Sequence, residues 1–164
     1  MTYYIFRHGM AVYPNQSYGS RVLTAELLPE GIPPIQRLAR YLTNVPSDYQ
    51  VCSEVLRCRQ TAAIVTEATG KNFEIDSRLR EYYQETFDEL SRRTKAFADE
   101  IQQSGYQNVM ICTHGAVIAA LKHYLTDGYF DRRHEMDYIQ TGQLLIINDD
   151  KSIEVLDFNS ENVV

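Results

Sequence analysis

The sequence predicts a single α/β domain built on a mostly parallel sheet. Two observations favour this class: strand-like and helix-like segments alternate along the chain, and two apolar strands run directly into His-Gly, at His8-Gly9 and His114-Gly115. A histidine at the carboxyl end of a buried strand, followed by a glycine turn, lies where open α/β sheets bind their ligands. Because no repeat or low-complexity tract interrupts the pattern, the whole chain, residues 1–164, is assigned to one domain.

Each element is predicted from its own local pattern. Short apolar runs bounded by turn formers are typical of strands, which we expect over residues 2–6, 50–52, 73–76 and 109–113, with a final hairpin over 142–148 and 152–158. Apolar residues at i, i+3, i+4 and i+7 indicate helices, which we expect from residue 35 to before 46, from after 53 to about 70, over 86–104 and over 116–125. Ser53 is placed to cap the second helix, and Gly70 suits its carboxyl-terminal cap.

The composition narrows the classes of partner. The net charge is −6, and the 16 basic residues are dispersed, whereas nucleic-acid binders concentrate them in a stripe, so we expect no nucleic-acid partner. No apolar run approaches the ~18 residues of a membrane span, and the chain enters a strand directly after Met1, without a secretory signal. Three cysteines without C-x-x-C spacing are typical of reduced thiols. We therefore expect a cytoplasmic protein without a membrane partner.

Two histidines are candidates for chemistry. His8 follows Arg7 at the end of the first strand, and a neutral imidazole there can attack phosphorus to form a phosphohistidine. His114 precedes a predicted helix whose amide groups and dipole favour a bound anion. Alternatively, each histidine satisfies a structural hydrogen bond, and His114 caps the following helix. The pairing of two imidazoles with an arginine favours a phosphoryl site over these structural roles.

Arginine and carboxylate candidates follow two further strands. Arg57 lies one turn into the second helix and can clamp phosphate oxygens bidentately, whereas Arg59 points about 200° away on the helix and is expected to be exposed. Thr61 shares the face of Arg57, with packing an equal alternative. Glu81 can protonate a leaving oxygen and then deprotonate water, and Glu85 is the next candidate. Spacing alone leaves a solvated acidic face open for this region.

Four motifs in order resemble those of the histidine phosphatase superfamily: Arg7-His8-Gly9, Ser53-x-x-x-Arg57-x-x-Gln60-Thr61-Ala62, Leu79-x-Glu81 and Thr113-His114-Gly115. The resemblance implies a three-layer α/β/α sandwich with a mostly parallel sheet, as in the phosphoglycerate mutases. It implies that His8 is the phosphorylated nucleophile, that Arg7, Arg57 and His114 bind the phosphoryl oxygens, and that Glu81 donates a proton. No metal and no cofactor are implied, because arginines and imidazoles supply the compensating charge.

The chain departs from mutase-like members of that family in two places. In the first loop, Pro14 stands at the place of an Asn, and Asn15 comes one place late. Residues 82–113 alone separate Glu81 from His114, which leaves little room for the helical insertion that covers the site in larger members. We therefore expect an open site, which favours a phosphatase over a mutase.

The leading interpretation is a metal-independent phosphatase that hydrolyses phosphomonoesters through phospho-His8, acting on a small phosphorylated metabolite or a phosphoprotein. The alternatives are a phosphoglycerate-mutase-type phosphotransferase, a protein phosphohistidine phosphatase and, least favoured, a non-catalytic phosphate-binding module. Asn15 and Arg21 are candidates for substrate binding at the entrance. The segment 129–138 can also line the entrance, although a solvated charged loop is the preferred interpretation. We expect His123 to be a surface or packing residue.

Overall fold

Six strands form one sheet at the centre of the protein. They are β1 (Thr2–Arg7), β2 (Tyr49–Cys52), β3 (Glu74–Ile75), β4 (Asn108–Thr113), β5 (Gln143–Ile147) and β6 (Ile153–Asp157). The computed structural model, which describes residues 1–161, orders them β3-β2-β4-β1-β5-β6. The strands from β3 to β1 are parallel to their neighbours, whereas β5 pairs antiparallel with β1 and β6 antiparallel with β5. The predicted α/β class with a mostly parallel sheet is confirmed.

Helices cover both faces of this sheet. They are α1 (Ile32–Leu42), α2 (Leu56–Thr69), α3 (Phe87–Gln103) and α4 (Gly115–Thr126), with single 3₁₀ turns at 19–21, 29–31, 77–79 and 132–134. Helices α1 and α2 share one buried apolar cluster with the sheet, and α3 and α4 share the other. The architecture is therefore the three-layer α/β/α sandwich that the resemblance implied.

The central strand β4 contributes to both layers. Its side chains alternate, with Val109 and Ile111 in the cluster beneath α3 and α4, and Met110 and Cys112 in the cluster beneath α1 and α2. All four are fully buried. A parallel strand with helices on both faces has no solvent-facing side, which is why its sequence is a continuous apolar run.

Most element boundaries agree with the sequence pattern, and the first helix is the clearest difference. Helix α1 begins at Ile32, earlier than the predicted start at residue 35. Pro33 and Pro34 occupy its first turn, where a backbone N–H has no intrahelical partner, so the missing donors cost little. Helix α2 ends as predicted, with Gly70 in the left-handed conformation at a φ of 75°.

Two expectations about the environment of the chain can be compared with this fold. Cys52, Cys58 and Cys112 are buried free thiols, as expected for reduced cysteines. Within residues 1–161, no helix is long and apolar enough to cross a membrane.

Candidate active site

The carboxyl ends of three neighbouring parallel strands bring the predicted residues together. Strands β2, β4 and β1 are adjacent in the sheet and lead into Ser53, His114 and His8. Pairing continues just beyond the strands, since the His8 N–H donates to the Thr113 carbonyl at 3.2 Å and the Ser53 N–H to the Cys112 carbonyl at 3.0 Å. As a result, the rings of His8 and His114 lie side by side with their centroids 5.3 Å apart.

The orientation of His8 leaves one ring nitrogen ready for chemistry. Nδ1 lies 2.7 Å from the Gly9 carbonyl oxygen, which can only accept, so Nδ1 carries the proton. Nε2 therefore carries the lone pair, which accepts a hydrogen bond from Arg57 Nε at 3.2 Å. Burial first, and then the positive charges of His114, Arg57 and Arg7, hold the pKa of His8 well below its ordinary value. His8 is thus a neutral imidazole with its nucleophilic nitrogen at a guanidinium.

Arg57 is fully buried, and its guanidinium contacts several groups of the site. Besides the bond from Nε to His8, Nη2 donates to Glu81 Oε2 at 2.7 Å, and Nη1 donates to the Val22 carbonyl. The ring of Tyr18 covers the guanidinium, with 4.3 Å from its carbon to the ring centroid. The side chain predicted to clamp a phosphoryl group is therefore held in one orientation by groups from three parts of the chain.

The first turns of α2 show the contacts of Thr61 and Arg59. The Thr61 hydroxyl accepts from the Gly9 N–H at 2.9 Å and donates to the Arg57 carbonyl at 2.7 Å, so it fixes the turn that follows the nucleophile. Arg59 is exposed, as predicted, and donates to the Glu54 carbonyl at 2.8 Å.

His114 stands at the N-cap position of α4, but its side chain makes no capping hydrogen bond. Its Nε2 lies 2.9 Å from Ser53 Oγ and 3.5 Å from Cys58 Sγ. Its Nδ1 is buried, 3.4 Å from Glu81 Oε2, without the geometry of a hydrogen bond. Burial opposes the charged form, but the adjacent Cys58 sulfur and the Glu81 carboxylate outweigh it and raise the pKa of His114 to about 8. His114 is therefore a cation at neutral pH.

The expectation that Ser53 caps α2 is wrong. The N-cap of α2 is Val55, and no side chain caps it. The Ser53 hydroxyl oxygen accepts from the Val55 N–H at 3.1 Å and contacts His114. A serine just before a helix suggests a cap by local rules, but here the contact with a residue distant in sequence determines its role.

The Glu81 carboxylate bridges the two cations of the site, Arg57 and His114. Its side chain is 19% exposed, so water reaches it. Burial opposes ionisation, yet the contact with His114 and the charge of Arg57 outweigh it and lower the pKa of Glu81 to about 2. Glu85, the other candidate acid, instead forms an ion pair with Arg93. The geometry therefore favours Glu81 as the carboxylate of the site.

Arg7 forms the opposite side of the site and is held less firmly. Its guanidinium lies beneath the Tyr138 ring, 5.1 Å from the centroid, and donates to the Ile139 carbonyl at 3.5 Å. Three buried side-chain nitrogen or oxygen atoms in residues 1–161 lack a hydrogen-bond partner, and two of them are Arg7 Nε and His114 Nδ1. Buried polar groups are nearly always satisfied. Two unsatisfied donors on residues predicted to bind a phosphoryl group are what an anion would satisfy.

The first loop covers the site, so the expectation of an open site is wrong for the nucleophile. His8 is only 1% exposed. The cover comes from Tyr18, whose ring lies on Arg57, and from the Val22 carbonyl bound to the same guanidinium. A helical insertion is therefore not needed to shield the site, because the segment between β1 and α1 does so.

The two candidate substrate-binding residues lie in this covering loop. Arg21 is exposed and lines, together with Tyr18, a cavity of about 120 Å³ beneath the loop. Asn15 is also exposed, has a left-handed φ of 67° and does not line this cavity. Of the two, Arg21 is the better placed to meet a ligand beside Tyr18.

The segment 129–138 is only partly the solvated loop that was the preferred interpretation. Arg132 and Arg133 are exposed, but Tyr138 at its end lies over Arg7. Within residues 1–161, no group of three or more His, Cys, Asp and Glu side chains is arranged to hold a metal ion.

Comparison with known proteins adds the family. The model of the histidine phosphatase superfamily, branch 1, matches residues 3–83 and 82–160. The chain belongs to this superfamily. The prediction of a histidine-phosphatase-type enzyme, made from four short motifs, is thereby confirmed at the level of the family.

Individual relatives of this superfamily member carry phosphatase names. A protein of Hydrogenobacter thermophilus named "Putative phosphoserine phosphatase 2" is 24% identical over 157 residues, covering 75% of this chain and 77% of its own. The alpha-ribazole phosphatase from Shigella flexneri superposes with a TM-score of 0.75 at 21% identity, over 98% of this chain and 96% of its own. The protein histidine phosphatase SixA, solved with tungstate, gives 0.70 at 18% identity, over 94% of both chains. The ribazole phosphatase and SixA structures therefore have the same fold as this chain.

Sequence reasoning missed two contributors to the site. The Val22 carbonyl binds Arg57, and a backbone atom has no signature in the sequence. Cys58 contacts His114, and its position directly after Arg57 was the only available signal. Both depend on how distant segments meet, which local spacing does not encode.

Proposed function

We propose that the protein is a metal-independent phosphatase that hydrolyses phosphomonoesters through a phosphohistidine formed on His8. One observation carries the proposal. The Nδ1 proton of His8 is bound by the Gly9 carbonyl, which leaves the Nε2 lone pair facing the Arg57 guanidinium. A neutral, buried imidazole held in this way is a nucleophile placed where phosphoryl oxygens would be bound.

In the first step, Arg7, Arg57 and His114 hold the phosphoryl oxygens. The Arg57 Nε–H passes from His8 Nε2 to a phosphoryl oxygen, which releases the Nε2 lone pair to attack phosphorus. The N–P bond forms as the bond from phosphorus to the leaving oxygen breaks, and that oxygen takes a proton from Glu81. The charges of the two arginines and the His114 imidazolium offset the negative charge that develops, which is how this site performs without a metal.

Glu81 must gain a proton before it can act as the acid. In the free protein its contacts with His114 and Arg57 keep its pKa near 2, so it is ionised. A phosphoryl dianion takes over both cations when it binds, and the loss of these partners raises the pKa of Glu81. The carboxylate then takes up a proton from water, for which its partial exposure leaves a path.

In the second step, the ionised Glu81 accepts a proton from a water molecule, whose oxygen attacks the phosphohistidine. The N–P bond breaks, inorganic phosphate leaves, and Nε2 recovers its lone pair. Once phosphate has left, Glu81 regains Arg57 and His114 as partners, releases this proton to water and is ionised again. The same residue thus serves as acid and then as base, consistent with its position between Arg57 and His114.

Small phosphorylated metabolites are the substrates that this geometry favours. His8 is almost fully buried beneath the first loop, so the phosphoryl group must enter a narrow site. A phosphohistidine on a protein, the substrate type named for SixA, is the second candidate because its long side chain can reach inward. A mutase-type transfer requires a phosphorylated product to be retained and turned at the site, and it is the third candidate.

The test measures phosphate release from an aryl phosphate, in the presence of a chelator, by the wild type and His8→Ala. We expect chelator-resistant activity in the wild type and a loss of at least about 10⁴-fold in the variant, since a nucleophile is removed. After rapid quenching, the wild type should carry an alkali-stable, acid-labile phosphoryl group that His8→Ala lacks. A thermal melt confirms that the variant is folded.

Activity that survives in His8→Ala would contradict the proposal, as would activity that the chelator abolishes. Two alternatives have their own signatures. Transfer of the phosphoryl group to an added alcohol or phosphorylated acceptor in preference to water would indicate a mutase. Release from a phosphohistidine-containing protein, with none from small phosphomonoesters, would indicate a protein phosphatase.

A further inference from the structure

The segment between α4 and β5 reaches the site at Arg7. The Tyr138 ring lies over the Arg7 guanidinium, and the Ile139 carbonyl accepts from Arg7 Nη1 at 3.5 Å. The ring also packs against Gly115, where a Cβ atom would lie only 2.7 Å from Tyr138 Cε1. Only glycine permits this approach, so Tyr138 is wedged between the first residue of α4 and the arginine at the end of β1.

The neighbouring residue, Asp137, ties this segment to α4. One carboxylate oxygen of Asp137 lies 2.7 Å from His123 Nε2, and the other accepts from Lys122 Nζ at 2.9 Å. His123 is buried, and its Nδ1 lies 3.0 Å from Asp127 Oδ2. His134 stacks on the His123 ring at 3.8 Å between centroids. The imidazole is therefore fixed on both nitrogens and one face, and it offers Asp137 an immobile partner.

We propose that Asp137 is a positioning residue: held by His123 and Lys122, it seats Tyr138 and Ile139 on Arg7 and so orients Arg7 for the phosphoryl group. This inference rests on the role of Arg7 in the proposed function. It gives residues 137–139 and His123 a role in the site.

Helix α4 connects the bonds of Asp137 directly to the site. Helix α4 carries His114 at its amino end and Lys122 and His123 about two turns later. Fastening the segment to α4 therefore fixes the position of Arg7 relative to His114. Arg7 needs such help because its Nε has no hydrogen-bond partner among residues 1–161, whereas Arg57 is held by its own hydrogen bonds.

A role in stability alone does not account for this arrangement. The side chain of Asp137 is 47% exposed, and ion pairs at such positions contribute little to the free energy of unfolding. Asp127 binds the same histidine from the turn after α4, outside the segment that meets Arg7. Asp127 thus provides a matched control: it shares the partner and the chemistry of Asp137 but not the connection to Arg7.

The experiment compares Asp137→Ala with Asp127→Ala in the full chain. We expect Asp137→Ala to raise both KM for an aryl phosphate and Kd for tungstate about fivefold, with kcat within about twofold, because ground-state and transition-state binding weaken together. Asp127→Ala should keep the wild-type KM and Kd, because Asp137 retains Lys122 and because the contact with Asp137 and the stack on His134 still hold His123. Tyr138→Leu, which removes the ring from Arg7, should reproduce the effect of Asp137→Ala.

Two results would overturn the inference: wild-type KM and Kd in Asp137→Ala, or equal changes in Asp137→Ala and Asp127→Ala. A further readout is independent of turnover. The side-chain Nε–H resonance of Arg7 in a proton–nitrogen correlation spectrum, assigned by its loss in Arg7→Lys, should shift in Asp137→Ala and not in Asp127→Ala. A wild type that neither binds tungstate nor hydrolyses phosphate esters would contradict the proposed function, while this resonance would still decide the role of Asp137.

Discussion

Arg57 and Arg7 are predicted to perform the same task, yet the protein holds them in opposite ways. Arg57 is fully buried and uses its guanidinium nitrogens on His8, Val22 and Glu81. Within the described part of the chain, Arg7 makes one long hydrogen bond, to Ile139, and its buried Nε has no partner. Each guanidinium lies against a tyrosine ring from a loop.

This difference in hydrogen bonding indicates that the two arginines have different roles. Arg57 contacts both the proposed nucleophile and the proposed acid, so it organises the reacting groups before any substrate arrives. A phosphoryl group that binds Arg57 must replace Glu81 and the Val22 carbonyl. Arg7 touches neither His8 nor Glu81 in the described hydrogen bonds and keeps a donor free for the ligand. We infer that Arg57 orients the reacting groups as well as binding the phosphoryl group, whereas the main contribution of Arg7 is to binding.

Of the substitutions that separate the two arginines, Arg57→Ala has the largest expected effect. It should lower kcat/KM by about 10³-fold, with most of the loss in kcat, because the variant loses a charge at the phosphoryl group and the partner of His8 Nε2. It should also reduce the free energy of unfolding by about 2 kcal/mol, since it leaves the largely buried Glu81 carboxylate without its arginine. Steady-state kinetics and denaturant unfolding measure the two effects.

Arg59→Ala is the matched control for this prediction. Arg59 is on the same helix, two residues on, but is exposed and bonds only to the Glu54 carbonyl among the described contacts. Its removal should change neither quantity. A kcat for Arg57→Ala close to that of the wild type would contradict the role of Arg57 in orienting His8.

Removal of Arg7 should have a smaller effect of a different kind. In Arg7→Ala we expect KM and the Kd for tungstate to rise about thirtyfold, with kcat reduced less than about fivefold, because the proposed nucleophile and acid keep their partners. Arg7→Lys should recover only part of the affinity, since an ammonium cannot reproduce the donors of a guanidinium fork. Stability should hardly change. A kcat loss as deep as that of Arg57→Ala would remove the distinction between the two arginines.

How much of this comparison the sequence could predict depends on what type of contact is involved. Arg7, His8, Arg57, Glu81 and His114 were all proposed from their motifs, and the fold brings them to one edge of the sheet. The reason is physical: parallel strands end at a common edge, so a residue just after a strand has a predictable location. The mostly parallel sheet followed from the alternation of strand and helix patterns, and the three layers followed from the family resemblance.

The difference between the arginines was not predictable, because loops create it. The paths of the segments before α1 and after α4 are set by tertiary contacts, so no periodicity placed Tyr18 on Arg57 or Tyr138 on Arg7. The same limit explains the failed inference of an open site, which considered insertions and not the existing first loop. Ser53 is an example of the same limit. Its local pattern indicates a helix cap, but its role is determined by the contact with His114, which is distant in sequence.

The smallest expected effect is the dependence of activity on pH, which is determined by the titratable groups around Arg57. Next to Arg57, Glu81 has a pKa of about 2 and does not titrate in the free protein near neutral pH. His114 has its pKa raised to about 8, so it binds anions as a cation below that pH and loses this charge above it. Since the pKa of His8 is lowered, its neutral form persists well below pH 6.5. The site should therefore weaken only on the alkaline side.

We expect kcat/KM for an aryl phosphate to fall about twofold between pH 7 and pH 8, where half of His114 has lost its proton, and about tenfold by pH 9. Above pH 7 the phosphate ester, with its second pKa near 6, is already a dianion, so the decline belongs to the protein. The stability that His114 contributes through its raised pKa should also be lost as the pH rises through about 8. His114→Asn, which cannot titrate, should be less active and flat over the same range. An equal alkaline decline in His114→Asn would assign the titration to another group, and a flat wild-type profile would mean that the proton on His114 does not contribute to phosphoryl binding.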